Sequence, residues 1–207
     1  MVERMTGPAG GRGFLLDDER TPGVRAVLGY LLARAGAADF AVRRARLAAL
    51  DFSASELRAV GRCRVLLGGL DAAALAEAAV AANADPGRQR AVAALTAFLS
   101  SGRAEIRSAG TCRWIPDFAV LRGLPADGPV PGGAACLAGW LGLDTRPEST
   151  TTLLTSIVAG PTAAAAATHR FEALWADAYD VLPFILDAFG ESDPRHAIAG
   201  ARNAPRA

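Results

Sequence analysis

Short apolar segments typical of β-strands alternate along this sequence with longer segments typical of helices, and this alternation constrains the fold more than any other feature. The strand-type segments are 38–42, 62–69, 104–107, 118–121 and 153–158. The helix-type segments begin at Thr21, Ser53, Asp71, Asp85 and Thr162. A chain of this kind buries its strands in a sheet and covers the sheet with helices. The sequence therefore predicts an α/β fold.

The chain divides into one domain with a short segment at each end. Residues 1–20 are predicted to be an irregular lead-in, and residues 191–207 a polar, loose tail. Residues 21–190 are predicted to form the domain, whose last helix runs from Thr162 to about residue 189, with Pro183 ending or kinking it. With 207 residues, 51% of them hydrophobic, the chain is long enough to bury a core.

The basic residues of the sequence are unusual, because all 22 in the Lys and Arg class are arginines. The absence of lysine excludes a Schiff-base amine, a lysine general base and a phosphate loop of the GxxxxGK[ST] type. The 22 arginines are balanced by 21 acidic residues, which leaves a net charge of +1. Binding of nucleic acid would therefore require a local basic patch.

The cysteines and histidines are few and widely spaced. Cys63, Cys112 and Cys136 form no CxxC pair, and the only histidines are His169 and His196. This spacing argues against a disulfide framework and against a zinc site, so we expect no metal and no cofactor. Reduced thiols of this kind are typical of a cytoplasmic protein, which is the location we expect. No apolar run reaches the roughly 18 residues of a membrane span, so no membrane association is expected.

Several segments follow one another in an order typical of a known family. After a helix come Ala-Asp-Phe-Ala-Val at 38–42, Arg-Cys-Arg-Val-Leu-Leu-Gly-Gly at 62–69, and Phe-Glu-Ala-Leu-Trp-Ala-Asp-Ala at 171–178. Over roughly residues 20–190, the chain resembles the phospholipase D-like (HKD) nuclease domains, especially those that accompany bacterial helicases. The resemblance implies a mixed sheet flanked by helices. It also implies a site in which a His-x-Lys strand supplies a histidine that attacks phosphorus and a lysine that holds the phosphate oxygens.

The positions that match the family's catalytic residues carry none of them here. Pro116 stands where the histidine belongs, and Phe118 where the lysine belongs. The family's Gly-Ser-x-Asn-like turn matches the segment from Gly133, with Ala134 in the serine position and Cys136 near the asparagine. The strand that follows lacks the acidic residue of the family. The resemblance therefore implies a domain that keeps the apolar frame and has lost the polar site.

Other residues offer little replacement for the missing nucleophile. A cysteine is reactive only in an electropositive neighbourhood that holds a base, and nothing next to Cys136 in the sequence supplies one. A core cysteine is the stronger interpretation. His169 lies within a predicted helix, away from the strand that carries the nucleophile in the family, and is interpreted as a partly exposed helical histidine.

One group of arginines lies where a ligand site would form. Arg43, Arg44 and Arg46 follow the first predicted strand, and α/β sheets bind ligands outside the carboxyl ends of their strands. The planar guanidinium of arginine suits the geometry of phosphate. The other interpretation is a solvated loop whose charges are balanced by one of three carboxylates, Asp39, Asp51 or Glu56.

A second group combines basic and aromatic residues. Arg113 and Arg122, together with Trp114 and Trp140, would suit a nucleic acid, because aromatic rings stack on bases and arginines hold phosphates. Trp140 is equally well explained as a core residue of its turn. Trp175 is expected to pack on the sheet through its helix.

Three hypotheses for function follow. The first is a catalytically inactive phospholipase D-like domain that acts as a binding or scaffolding subunit for a protein partner and associates with nucleic acid, in a bacterial helicase or phage-defence system. The resemblance also implies a homodimer, because single-domain members commonly pair so that two half-sites share one cleft. The second hypothesis is a residual phosphodiesterase or nuclease with a non-standard site. The third is a purely structural interaction protein.

Overall fold

The computed structural model describes residues 3–6, 12–17, 24–43, 59–69, 86–110, 115–125, 127, 130, 132–139 and 154–190. In chain order the elements are β1 (Glu3–Thr6), β2 (Arg12–Asp17), α1 (Val24–Leu32), β3 (Ala37–Val42), β4 (Arg62–Leu67), α2 (Pro86–Leu99), β5 (Ala104–Ser108), β6 (Phe118–Arg122), β7 (Ala134–Gly139), β8 (Leu154–Ala159), α3 (Pro161–Trp175), β9 (Tyr179–Asp180) and α4 (Leu182–Gly190).

The strands of the described residues form one nine-stranded sheet, in the order β1-β2-β8-β7-β6-β3-β4-β5-β9. β3, β4 and β5 run parallel to one another. The remaining neighbours in the sheet are antiparallel. The expectation of a mixed α/β sheet flanked by helices is confirmed.

Helices cover both faces of the sheet, and each face has its own hydrophobic core. On one face α1, α2 and α4 contribute Leu28, Phe98 and Ile185 to the larger core. On the other face α3 packs Phe171 and Trp175 against the centre of the sheet. Strands that are covered on both sides read as nearly continuous apolar runs, which is why β3 and β4 are recognisable in the sequence.

Residues 1–20 are predicted to form an irregular lead-in. The structure instead places two strands there, β1 and β2, which form an antiparallel pair. β2 also pairs along its length with β8, from Arg12 opposite Ala159 to Asp17 opposite Leu154. β1 reads Glu-Arg-Met-Thr and has too little apolar alternation to be recognised locally. β2 is a strand because the distant β8 supplies its pairing, which outweighs local propensity, and β1 then pairs with β2.

The single long helix predicted from Thr162 to about residue 189 is wrong, because the structure has two helices, α3 and α4, with β9 between them. Asp180 Oδ1 accepts a hydrogen bond from the Leu182 backbone N–H at 2.9 Å at the start of α4. Pro183 therefore lies in the first turn of α4, where proline is tolerated, instead of ending a helix.

The other predicted elements are found close to their expected positions. The helices expected from Thr21 and Asp85 correspond to α1 and α2, and the segment from Gly133 leads into β7. The helices predicted from Ser53 and Asp71 and the tail at 191–207 lie outside the described residues. Of the helices that the structure describes, none has the length and apolar character needed to cross a bilayer.

Candidate functional site

The carboxyl ends of the parallel strands β3, β4 and β5 meet at one edge of the sheet, which we call the carboxyl edge. It is formed by the residues that follow these strands and by the start of the antiparallel strand β6. In α/β sheets this is where ligands bind. Arg43, Gly68 and Asp117 lie at this edge. Arg43 is exposed, and Asp117 is half-buried.

Asp117 connects three strands at the carboxyl edge. Its Oδ1 accepts a hydrogen bond from the Arg43 backbone N–H at 2.6 Å, and its backbone carbonyl accepts one from the Gly139 N–H at 3.0 Å. Gly68 packs closely against the Arg43 backbone, since a Cβ at position 68 would lie 2.6 Å from the Arg43 carbonyl oxygen. The backbone of Arg43 is therefore held from two sides.

Pro116 and Phe118, which the resemblance places at the family's histidine and lysine positions, offer no nucleophile and no cation. Pro116 is half-buried just before β6 and has no group that attacks phosphorus. Phe118 is 6% exposed and belongs to the core beneath α3. Its ring meets that of Phe171 edge-on, with centroids 6.4 Å apart and an interplanar angle of 87°. An ammonium at position 118 would be surrounded by apolar side chains.

The segment that the resemblance assigns to the family's Gly-Ser-x-Asn-like turn also lacks charged side chains. Gly133 has φ +70°, a conformation that favours glycine, and its carbonyl accepts the Leu124 N–H at 2.9 Å. Ala134 begins β7 and packs against the core beneath α3. Burial raises the pKa of the Cys136 thiol, so this side chain stays protonated near neutral pH. Since the thiolate is the reactive form, the structure gives Cys136 no nucleophilic activation.

The arginines singled out in the sequence are not gathered in one place. Arg43 lies at the carboxyl edge, whereas Arg122 lies at the far end of β6, in register with Ala37 at the start of β3. The Cα atoms of Arg43 and Arg122 are therefore about 20 Å apart, given the usual rise of a strand. Arg44, Arg46 and Arg113 lie outside the described residues.

The charged side chains of β3 and β4 form a buried ion-pair network that sequence reasoning missed. Asp39 and Arg64 have side chains only 1% and 6% exposed. Arg64 donates to the Asp39 carboxylate twice, from Nε to Oδ1 at 2.7 Å and from Nη2 to Oδ2 at 2.9 Å. Arg122 Nη2 approaches Asp39 Oδ2 at 2.7 Å, so two arginines share one buried carboxylate. Within the part of the chain that the structure describes, the Asp39 carboxylate pairs with Arg64 and Arg122.

A helix residue completes this network. Arg64 Nη2 also donates to Glu172 Oε1 of α3 at 2.7 Å, and the Glu172 side chain is 50% exposed. The Arg64 guanidinium carbon lies 4.8 Å from the centroid of the Phe171 ring, within cation–π range. The hydrogen bond from Arg64 lowers the pKa of Glu172, while the bond to Asp39 raises the pKa of Arg64. Both groups are therefore charged at neutral pH.

Two side chains near this network serve packing and offer no reactive group. Cys63 is buried on the opposite face of β4, and burial, followed by the charge of Asp39, raises its pKa to about 12. Trp175 packs on the sheet as predicted, 6% exposed and stacked on Phe171 with ring centroids 5.2 Å apart. His169 is exposed on α3. Trp114, Trp140 and His196 lie outside the described residues.

Within the residues that the structure describes, no three acidic, cysteine or histidine side chains come together as a group that could hold a metal ion. The carboxyl edge presents a guanidinium, a carboxylate and backbone groups. These can bind and orient a ligand by hydrogen bonds and charge.

Comparison with known proteins places the fold. No family model matches the sequence, and no curated protein matches it. Among solved structures, the chain is similar to Nuc from Salmonella typhimurium, a phospholipase D family member, with a TM-score of 0.50 and 11% identity over 82% of this chain and 97% of that one. It is also similar to TrmBL2, an archaeal chromatin protein with a novel mode of DNA binding, with a TM-score of 0.50 and 12% identity over 86% of this chain.

The chain spans 56% of the length of TrmBL2. At these identities the similarity concerns the fold, which is phospholipase D-like.

Proposed function

We propose that this protein is a catalytically inactive phospholipase D-like domain that acts as a binding or scaffolding subunit and holds the phosphate backbone of nucleic acid at its carboxyl edge. The observation that carries the proposal is the environment of Phe118. The residue at the family's lysine position is 6% exposed and packs edge-on against Phe171 in the core. The position thus serves packing where the family has a phosphate-binding cation.

The argument against catalysis is chemical. Cleavage through a covalent phosphohistidine needs a nucleophile and fixed positive donors around the charge that develops on phosphate. Pro116 offers neither, and the Cys136 thiol has a raised pKa. His169 is an exposed side chain on α3 and does not belong to the strand that would carry the nucleophile. These observations favour an inactive domain over a residual phosphodiesterase with a non-standard site.

The argument for nucleic acid rests on charge at the carboxyl edge. Arg43 is exposed there, and the sequence places Arg44 and Arg46 directly after it. Guanidinium groups bind phosphate through paired hydrogen bonds, so this run suits a phosphate backbone. The fold similarity to TrmBL2, a DNA-binding chromatin protein, agrees with this proposal. The resemblance to helicase-associated domains suggests a bacterial helicase or phage-defence system as the setting.

Binding and cleavage can be tested in one experiment with labelled single- and double-stranded oligonucleotides. We expect the wild-type chain to bind with an affinity that falls as salt rises, with a slope of about −0.9 per duplex phosphate contacted, and to leave the strands intact. Replacing Arg43 and Arg44 with alanine should weaken binding about tenfold, which corresponds to ~1.4 kcal/mol. Fluorescence anisotropy measures the affinity, and a denaturing gel of the same samples measures cleavage.

The matched control removes two other exposed arginines. Arg62 begins β4 and Arg170 lies on α3, so Arg62→Ala with Arg170→Ala lowers the net charge equally and leaves the carboxyl edge intact. An equal loss of affinity in the control would mean that the whole surface charge, not this edge, holds the nucleic acid. Strand cleavage by wild-type protein would favour the phosphodiesterase alternative.

We also propose that two copies of the chain pair, as the resemblance implies. Tyr179 of β9 and Phe184 of α4 are 48% and 41% exposed, and β9 is the end strand of the described sheet, where the backbone of another chain can pair. Light scattering at micromolar concentration is expected to give twice the monomer mass. Tyr179→Ser with Phe184→Ser should give the monomer, and Tyr30→Ser, at an aromatic residue 45% exposed on α1, should not. A wild-type monomer throughout this range would overturn the proposal.

A further inference from the structure

A carboxylate at the carboxyl edge is unexpected if that edge holds phosphate, because like charges repel each other. Asp117 lies between the two positions that match the family's histidine and lysine, and it is half-buried beside the loop that follows β3. Its carboxylate does not stand alone, since Oδ1 accepts the Arg43 backbone N–H at 2.6 Å. Hydrogen bonds to a charged acceptor are shorter and stronger than neutral ones.

Neighbouring contacts hold both the donor and the acceptor of this hydrogen bond in place at the carboxyl edge. The Asp117 carbonyl accepts the Gly139 N–H at 3.0 Å, which ties the start of β6 to the end of β7. The carbonyl of the same Val42–Arg43 peptide group accepts a hydrogen bond from the Gly68 N–H at 2.9 Å. A Cβ at position 68 would lie 2.6 Å from the Arg43 carbonyl oxygen, so Gly68 packs directly against the next peptide group. The Val42–Arg43 peptide is thus hydrogen-bonded at both its N–H and its carbonyl, and Gly68 confines the Arg43 carbonyl by contact.

We propose that Asp117 is a positioning residue, whose carboxylate holds the backbone of Arg43 and thereby sets how this arginine is presented at the carboxyl edge. This inference rests on the proposed function, because it assigns the carboxylate a part in presenting Arg43 to phosphate. The carboxylate accepts a hydrogen bond from the backbone N–H of the same residue whose guanidinium would contact the ligand. Arg43 then meets phosphate from a backbone that is already ordered, which lowers the entropy lost on binding.

The test compares Asp117→Asn with Asp117→Ala in the full chain. Asparagine keeps an acceptor oxygen at this position and alanine does not. We expect Asp117→Ala to lower the hydrogen-exchange protection of the Arg43 amide, measured by NMR, at least about tenfold, and to weaken oligonucleotide binding about tenfold. Asp117→Asn should keep most of both. Thermal melting of both variants verifies that the fold is retained. If Asp117→Ala does not fold, the amide protection and the binding of Asp117→Asn still test the inference.

Each outcome decides the inference. Unchanged protection of the Arg43 amide in Asp117→Ala would overturn it, because the hydrogen bond would then not hold the loop. Tighter binding in both variants would also overturn it, since the carboxylate would then act by repelling phosphate. A wild-type chain that binds no oligonucleotide would overturn the proposed function alone, because protection of the Arg43 amide still tests the positioning contact.

Discussion

Replacing Asp39 with alanine is expected to lower the free energy of unfolding by about 3 kcal/mol, because breaking a buried ion pair leaves its partner charge without compensation. Arg64, with a side chain 6% exposed, loses both hydrogen bonds to this carboxylate, and Arg122 loses its ion pair. Urea denaturation measures the change as a lower midpoint at an unchanged slope. Asp39→Asn should also destabilise the protein, since it removes the charge and keeps the shape.

The control lies at the exposed end of the same network. Glu172 also pairs with Arg64, at 2.7 Å, but its side chain is 50% exposed. Glu172→Ala should therefore cost less than about 1 kcal/mol. If Asp39→Ala costs no more than Glu172→Ala, the buried network contributes little to stability. The pKa of Glu172 is lowered by Arg64, so its contribution is present at neutral pH and is lost as the pH falls.

Replacing Phe118 with lysine is expected to destabilise the fold by about 4 kcal/mol or more, and not to restore catalysis. Removing a buried phenylalanine alone costs about 3–5 kcal/mol, and the new ammonium would be unpaired in an apolar core. The Phe118 ring packs against Phe171 and lies in the core that includes Trp175. Thermal or urea denaturation measures the loss of stability.

The double variant Pro116→His with Phe118→Lys tests the proposed loss of the catalytic site directly. It should cleave neither oligonucleotides nor bis-(p-nitrophenyl) phosphate, because the cation would lie beneath α3 or force the fold open. Phe118→Leu is the matched control, since it keeps an apolar side chain and should cost far less stability. A double variant that folds and cleaves either substrate would contradict the proposal that position 118 can hold only a buried core residue.

The elements that could be predicted from the sequence are those with a strong local pattern. β3 and β4 are apolar runs buried on both faces, and α1 and α2 begin at clear helix signals. β1 and β2 were beyond such reasoning, because β2 is defined by pairing with β8 at the other end of the chain. The division between α3 and α4 likewise depends on β9, whose two residues pair with β5.

The candidate site could be predicted only in part, because residue types are visible in the sequence and their contacts are not. The resemblance identified Pro116 and Phe118 as unsuited to catalysis, but the direction of the Phe118 side chain requires the sheet and α3. The ion-pair network left a visible signal, since Asp39 and Arg64 are charged residues inside apolar strands. Their pairing becomes evident only when the parallel register places them opposite each other.

The pairing of β2 with β8 has a consequence for how the chain folds during synthesis. β2 leaves the ribosome early, yet its ladder runs from Arg12 opposite Ala159 to Asp17 opposite Leu154. Contacts between segments so distant in sequence are slow to form, because a long loop must close before they contribute. The β3, β4 and β5 strands can assemble first, whereas the N-terminal pair of strands must wait for β8. That pair therefore joins the sheet only after β8, and with it most of the domain, has been translated.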